Sequence, residues 1–305
     1  MAAAAVACQN PTPMDWSHLI PRIERLLERL ELALPEVAEP VDWESHPAAC
    51  WRRGRLGGQF EPVRRVSLAR LEDLLGIDRQ KAALCQNTLQ FLAGFPANHA
   101  LLWGPRGTGK STLVRALLNA FADQGLRLVE VGRDSLEDLP EVLDRLAHAG
   151  GRFVVYCDDL TFELADPGYK ALKSVLDGSL AGPPENVLIF ATSNRRHLLP
   201  EPASDNTGVT VTSTEIHFGE GVEERISLSE RFGVWLSFHP FDQDQYLTMV
   251  RHWLQQLAPG EVFEHWRSEA LRWALEHGSR SGRTARQCAA DLAGRQALQT
   301  GPRLP

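Results

Sequence analysis

Apolar positions along the chain fall into three successive patterns. Leu19, Ile20, Ile23, Leu26, Leu27, Leu30 and Leu34 recur every three or four residues and stop at Pro35, which predicts an amphipathic helix whose apolar face needs a partner. Residues 35–66 are rich in Pro, Gly, Trp and Arg and show no clean period, so residues 1–66 read as a helical N-terminal extension. Helical spacing returns at Leu68–Leu75 and, from an Asp78 cap, over Lys81–Ala93. Short β-rich runs then alternate with helical ones: Ala100–Trp103, Leu126–Val131, Arg152–Cys157, Val187–Ala191 and Val234–Phe238. Leu113, Leu117, Leu118 and Phe121 form a helical face ended by Gly125, and Ser135 with Asp138 starts a helix over Leu136–His148. Such alternation predicts an α/β core over 67–240, with a five-stranded parallel sheet flanked by helices. After Pro240 strand signals vanish, and Asp242–Leu257, Val262–His277 and Arg283–Leu298 predict a small all-helical lid over 241–305.

Composition narrows the class. No apolar run is long enough to cross a bilayer, and the Ala-rich start, Met1–Cys8, lacks a basic segment, so neither a membrane partner nor a signal peptide is expected and a cytoplasmic location is. The five cysteines are scattered without a CxxC pair, against a disulfide framework or a zinc site. A net charge of −7 gives no general attraction to nucleic acid.

Chemistry enters at Gly104-Pro105-Arg106-Gly107-Thr108-Gly109-Lys110-Ser111, a full GxxxxGK[ST] phosphate loop between a predicted strand and a predicted helix, with Thr112 following. The glycines let successive N–H groups point at an anion, Lys110 adds a charge, and Ser111 offers a hydroxyl to Mg²⁺ at the positive end of the helix. ATP and Mg²⁺ are the expected ligands. Phe153–Asp159 is an apolar strand ending in two carboxylates: Asp158 suits Mg²⁺ through water, and Asp159 suits the base that takes a proton from the attacking water. The alternative is a solvated Asp-Asp turn. Asn194 ends the next strand, where it would orient that water or close a turn.

Phosphate loop, inserted strand, acidic strand, Ser-Asn-ended strand and helical lid, in this order, resemble the AAA+ ATPases, and Cys157–Glu163 with Ala191–His197 is similar to a bacterial family of predicted AAA+ ATPases without an assigned role. The resemblance implies a P-loop NTPase core. It also implies that Asn194 is the sensor-1 residue, that Leu75, Gly76 and Ile77 (in Leu74–Ile77) pack on adenine, and that Arg283 is the sensor-2 residue. Ser229–Gly233 is similar to the arginine-finger box of clamp loaders and the Holliday-junction branch-migration motor, which assigns Arg231 to a neighbouring subunit's γ-phosphate, with Arg225 as runner-up. A homo-oligomeric ring follows, a hexamer by analogy. Where the superfamily has Asp-Glu, this chain has Asp158-Asp159, which implies slow hydrolysis or help from Glu163.

Two segments stay open. Glu201–Glu224 is a long connection whose middle, Gly208–Phe218, alternates in part and predicts a hairpin. Arg52, Arg53, Arg55, Arg64 and Arg65, with Trp51 and Phe60, form a basic aromatic patch that suits nucleic acid or, preferably, docking onto an unknown protein partner or onto the core. Three functions follow: a Mg-ATPase that remodels a macromolecular partner, a nucleotide-controlled binding module with little hydrolysis, and a DNA-directed loader or helicase-like factor.

Overall fold

The computed structural model describes residues 21–26, 40–54, 57–67, 69–162, 166–178, 184–196, 198, 210–212, 215–217, 228–260 and 263–300. The chain divides into two units, Met1–Pro40 and Val41–Pro305. Of the first, residues 21–26 are helical (α1), within the segment whose periodicity predicts a helix; the rest of that prediction lies outside the described residues.

The second unit is built on one sheet with helices on both faces. Its strands are β1 (Ala48–Gly54), β2 (Gly57–Pro62), β3 (Ala100–Trp103), β4 (Leu126–Glu130), β5 (Arg152–Cys157), β6 (Val187–Ser193) and β9 (Val234–Ser237), in the order β2-β1-β4-β5-β6-β3-β9. A separate antiparallel pair, β7 (Thr210–Thr212) and β8 (Glu215–His217), forms where partial alternation predicts a hairpin. Helices α2 (Asp78–Leu92), α3 (Lys110–Phe121), α4 (Leu139–Ala147) and α5 (Pro167–Asp177) connect the strands, a helical segment at residues 228–230 (α6) precedes β9, and α7 (Gln243–Leu257), α8 (Arg267–Glu276) and α9 (Gly282–Thr300) follow it.

The five strands read from the sequence all form and run parallel. Burial on both faces explains their apolar character: every position of β6 is buried. Along β5, Val154 and Tyr156 join α2, α3 and the C-terminal helices on one face, whereas Phe153, Val155 and Cys157 join α4 and α5 on the other. Asp158, next in that alternation, therefore falls on the α3 side.

The sheet is two strands wider than expected, and the correction concerns residues placed in the N-terminal extension. β1 pairs antiparallel with β2 and parallel with β4, so the hairpin extends the sheet edge. Trp51 is buried at 2% exposure, donates its Nε1–H to Asp138 Oδ2 at 3.0 Å, and meets Phe60 edge-on at 5.0 Å. Only glycine fits at position 58, because a Cβ there would sit 1.8 Å from the Trp51 ring. Arg53 pairs with Glu137 and Asp138, and Arg52 with Glu61. The patch that looked basic and aromatic is thus an aromatic core with paired arginines, leaving Arg64 and Arg65 exposed; Arg55 lies outside the described residues.

Smaller differences lie at helix ends. Leu71–Asp73 is a single 3₁₀ turn in place of the longer helix expected there. Residues Arg133–Asp138 are also 3₁₀, and α4 starts at Leu139 with Pro140 in its first turn. Asp242 caps α7 through a reciprocal pair with Gln245, N–H to Oδ1 at 2.8 Å and back at 3.0 Å. Among the described residues no helix is long and apolar enough to cross a membrane.

Candidate nucleotide site

The phosphate loop leaves the C-terminal end of β3 and enters α3. Its start is pinned on both sides: Gly104 N–H donates to Ser193 O at 3.1 Å, and Phe238 N–H donates to Trp103 O at 2.8 Å. Gly104 has φ 140, and a Cβ there would lie 2.2 Å from Phe238 O, so no other residue fits this crossing. Gly107 has φ 78 and faces Ser281, whose Cβ would be 2.5 Å from an added methyl. Thr108 Oγ1 closes the loop by donating to Pro105 O at 2.9 Å. Lys110, at the start of α3, is buried; its Nζ donates to Gly104 O at 2.6 Å, Pro105 O at 2.8 Å and Asn194 Oδ1 at 3.3 Å. Burial draws its pKa below the usual lysine value, opposed by the charges of Asp159 and Asp158. Thr112, the residue after Ser111, is exposed.

Across from the loop stand the ends of β5 and β6. Ser111 Oγ donates to Asp158 Oδ1 at 2.7 Å, and Thr192 Oγ1 donates to the same oxygen at 2.5 Å. Arg115 Nη2 lies 3.7 Å from Asp158 Oδ2. Burial raises the Asp158 pKa, but the hydroxyls of Thr192, Tyr156 and Ser111 together with Arg115 outweigh it and hold the group below the usual carboxylate value. The Tyr156 hydroxyl is buried near Asp158 and Ser111 without a well-aligned hydrogen bond; burial first, then the Asp158 charge, pushes its pKa well up. Asp159 is the one non-glycine residue with positive φ (52) among those described. Its N–H donates to Thr192 Oγ1 at 2.8 Å, Asn194 Nδ2 donates to its Oδ1, and Arg106 Nη2 lies 3.7 Å from its Oδ2. Glu163 lies outside the described residues, as does Arg225.

Flanking segments close around the loop. Methyl carbons of Leu74 and Ile77 would each be 3.4 Å from a Cβ on Gly109, and Gly76 (φ 74) sits against Phe241 and Gln245 at the start of α7. Half-buried Leu75 lies between them. Asp73 accepts from Gln256 Nε2 at 2.7 Å and lies 2.9 Å from His252 Nε2, tying the same strap to α7. At the start of α9, Gly282 N–H donates to Gly107 O at 3.0 Å, which brings exposed Arg283 next to the loop. A cleft of about 640 Å³ runs between Pro105, Arg106 and Thr108 on one side and Phe241, Leu275 and Ser281 on the other.

Arg231 is placed differently. It lies three residues before Val234, which pairs with Ala100 at the start of β3, and it contacts Asp177 at the end of α5. Since β3 and β9 are parallel, Arg231 sits at the opposite end of the sheet from its own phosphate loop, beyond a strand length of roughly 10 Å.

A family model described as a protein of unknown function, DUF815, matches residues 44–296. The chain belongs to this family. No curated protein sequence matches it. Among solved structures it is similar to Thermotoga maritima RuvB, a Holliday junction branch migration motor, at 17% identity and TM-score 0.48, covering 76% of this chain and 65% of that one. Two single-substitution variants of the same protein match at 16% identity with TM-score 0.50 (76% and 66% covered) and at 14% with TM-score 0.51 (77% and 67%). The DUF815 chain thus spans about two thirds of the length of those structures, and the likeness shows its fold alone, a P-loop NTPase core with a helical C-terminal part.

Thr192, Arg115 and Tyr156 are the site neighbours that motif reading misses. Period-2 alternation along β5 places Tyr156 beside Asp158, and helical spacing places Arg115 one turn beyond Ser111; for Thr192 only its place two residues before Asn194 was a signal.

Proposed function

We propose that this chain binds Mg-ATP at Gly104–Ser111 and hydrolyses it at an interface between copies of itself, using the energy to remodel a macromolecular partner. The observation that carries the reading is one connected cluster, Asn194 bonded to both Lys110 and Asp159 and Ser111 bonded to Asp158, at the strand ends where parallel sheets collect ligands.

On this reading the loop N–H groups and the α3 N-terminus take the phosphates, and Lys110 exchanges its carbonyl acceptors for phosphate oxygens. Leu75, Gly76 and Ile77 face the base, and Arg283 reaches the phosphates from the lid formed by α7–α9. Ser111 and Asp158 fit Mg²⁺, because a hydroxyl 2.7 Å from a carboxylate is a hard oxygen pair suited to that ion. Bound Mg²⁺ would neutralise charge on the phosphates. Asp159 receives the proton of the attacking water, and Asn194 holds both Asp159 and the water in line. Arg231 cannot serve its own site from the far end of the sheet, which supports its acting on a neighbouring copy and hence a ring.

Partner selection is assigned to residues 1–40, where Ile23 and Leu26 on α1 are 49% and 59% exposed. The DNA-directed alternative drew on the basic patch and on the clamp-loader resemblance of Ser229–Gly233; the first of these supports weakens with Trp51 buried and Arg52 and Arg53 paired. The binding-module alternative rests on Asp159. Phosphate release from Mg-ATP over a protein concentration series, beside Lys110→Ala and Arg231→Ala, tests the reading. Specific activity rising with concentration and lost in both variants is expected. Flat activity with a normal Arg231→Ala removes the shared site, and binding without release selects the module.

A further inference from the structure

Thr192 on β6 touches three consecutive residues beyond the end of β5. Its Oγ1 lies 2.5 Å from Asp158 Oδ1 and 2.8 Å from the Asp159 nitrogen, and its carbonyl accepts the Leu160 N–H at 2.7 Å. The polarity of these bonds is determined. A backbone N–H can only donate, so the hydroxyl accepts from Asp159, and its single proton is left for Asp158. One side chain, 1% exposed, therefore holds the carboxylate of one acidic residue and the backbone of the next.

That backbone needs holding. Asp159 has φ 52, a conformation that costs an L-residue roughly 1–2 kcal/mol and that Asp tolerates better than most. The left-handed turn aims the Asp159 carboxylate at Asn194 and Arg106 rather than along the strand. Ser193 Oγ adds a bond to Leu160 O at 2.8 Å, so the backbone leaving β5 is fastened to the end of β6 at Asp159 and Leu160.

We infer that Thr192 is a positioning residue that sets the geometry of Asp158 and Asp159 together. The inference rests on the ATPase reading for its kinetic consequence only. Thr192→Val keeps the shape of the buried side chain but leaves the Asp159 N–H unpaired and takes one of two protons from Asp158 Oδ1; Thr192→Ser keeps both bonds.

Two measurements separate this from a merely structural role. In phosphate release, Thr192→Val should lower kcat by roughly tenfold to a hundredfold while affinity for a fluorescent ATP analogue in EDTA stays within about threefold, and Thr192→Ser should stay within about threefold of the unaltered chain throughout. In hydrogen exchange of the nucleotide-free protein, a peptide over residues 157–162 should take up deuterium about tenfold faster in Thr192→Val, with no change in Thr192→Ser. Unchanged kcat in Thr192→Val, equal loss in both variants, or loss of ATP affinity along with kcat would overturn the inference. If the unaltered chain releases no phosphate, the ATPase reading fails by itself; exchange then decides, and equal uptake in Thr192→Val overturns the clamp.

Discussion

Acid should weaken the fold through one histidine at the root of the phosphate-loop strand. His99 immediately precedes β3. Its Nδ1 lies 3.0 Å from the Ile189 nitrogen on β6, and its carbonyl accepts the Val234 N–H of β9 at 3.1 Å. Because Ile189 N–H is a donor, Nδ1 must carry a lone pair, so the folded state requires neutral imidazole. Burial lowers the His99 pKa from 6.5 to about 4. The sign follows from linkage. Between those values the unfolded chain binds a proton that the native chain excludes, so stability is complete above pH 6.5, falls as pH drops, and levels off near pH 4. At about 1.4 kcal/mol per pKa unit the full loss is about 3 kcal/mol, and about 2 kcal/mol of it is gone by pH 5. Residual solvent contact at the half-buried ring makes these upper values. Other carboxylates titrate in the same range, so the informative quantity is a difference: urea unfolding from pH 4.5 to 7.5 for the unaltered chain and for His99→Asn. Asn offers an acceptor at the Nδ1 position but does not titrate. The variant should be less stable at pH 7.5 through lost packing, and the gap should close or reverse by pH 5. A gap that stays constant with pH would refute the reasoning.

Gly107→Ala should raise the Kd for ATP at least roughly tenfold by isothermal titration, since the methyl meets Ser281 and the backbone must hold a left-handed φ costing about 1–2 kcal/mol. Gly58→Ala should lower stability by about 1–3 kcal/mol in denaturant unfolding and shift Trp emission, because the added Cβ overlaps the Trp51 ring. Asp159→Glu should fail to accelerate phosphate release, since the longer carboxylate comes with a backbone less tolerant of φ 52; a faster variant would show that reach, not turn geometry, limits the site.

The five central strands were legible because burial on both faces writes each as a short unbroken apolar run, and β6 has no exposed position to interrupt it. The β1–β2 hairpin was not, although it lies in the same sheet. Next to the sheet edge, where β1 lies between β4 and the edge strand β2, only part of a strand is covered: in β1 Ala48, Ala49 and Trp51 are buried while Arg52, Arg53 and Gly54 are exposed, so the run Ala-Ala-Cys-Trp-Arg-Arg-Gly shows neither alternation nor continuity. Arg53 read as part of a binding surface because its partners, Glu137 and Asp138, lie more than eighty residues away in sequence. Charge read along the chain counts a group without the group that neutralises it. Helix starts were displaced for a related reason, since 3₁₀ turns at Leu71 and Arg133 share the composition of α-helical turns and differ only in how the flanking chain packs.

The candidate site divides along the same line. Gly104–Ser111 is a local object: its glycines, lysine and hydroxyl are adjacent in sequence, and the conformation they need is encoded where they stand. Asp158, Asp159 and Asn194 end strands that the sheet order makes neighbours, so strand recognition was enough to bring them together. What no motif carried is the bond pattern among them. Whether Asp159 is an adequate base looked like a matter of one missing methylene, judged from side-chain length alone. In the fold it becomes a matter of backbone: a left-handed turn at φ 52 that Asp accepts, held by a Thr192 hydroxyl with one proton to give and a lone pair to receive. Residue type and turn geometry are then two halves of one choice, and the short acid belongs with the turn that aims it.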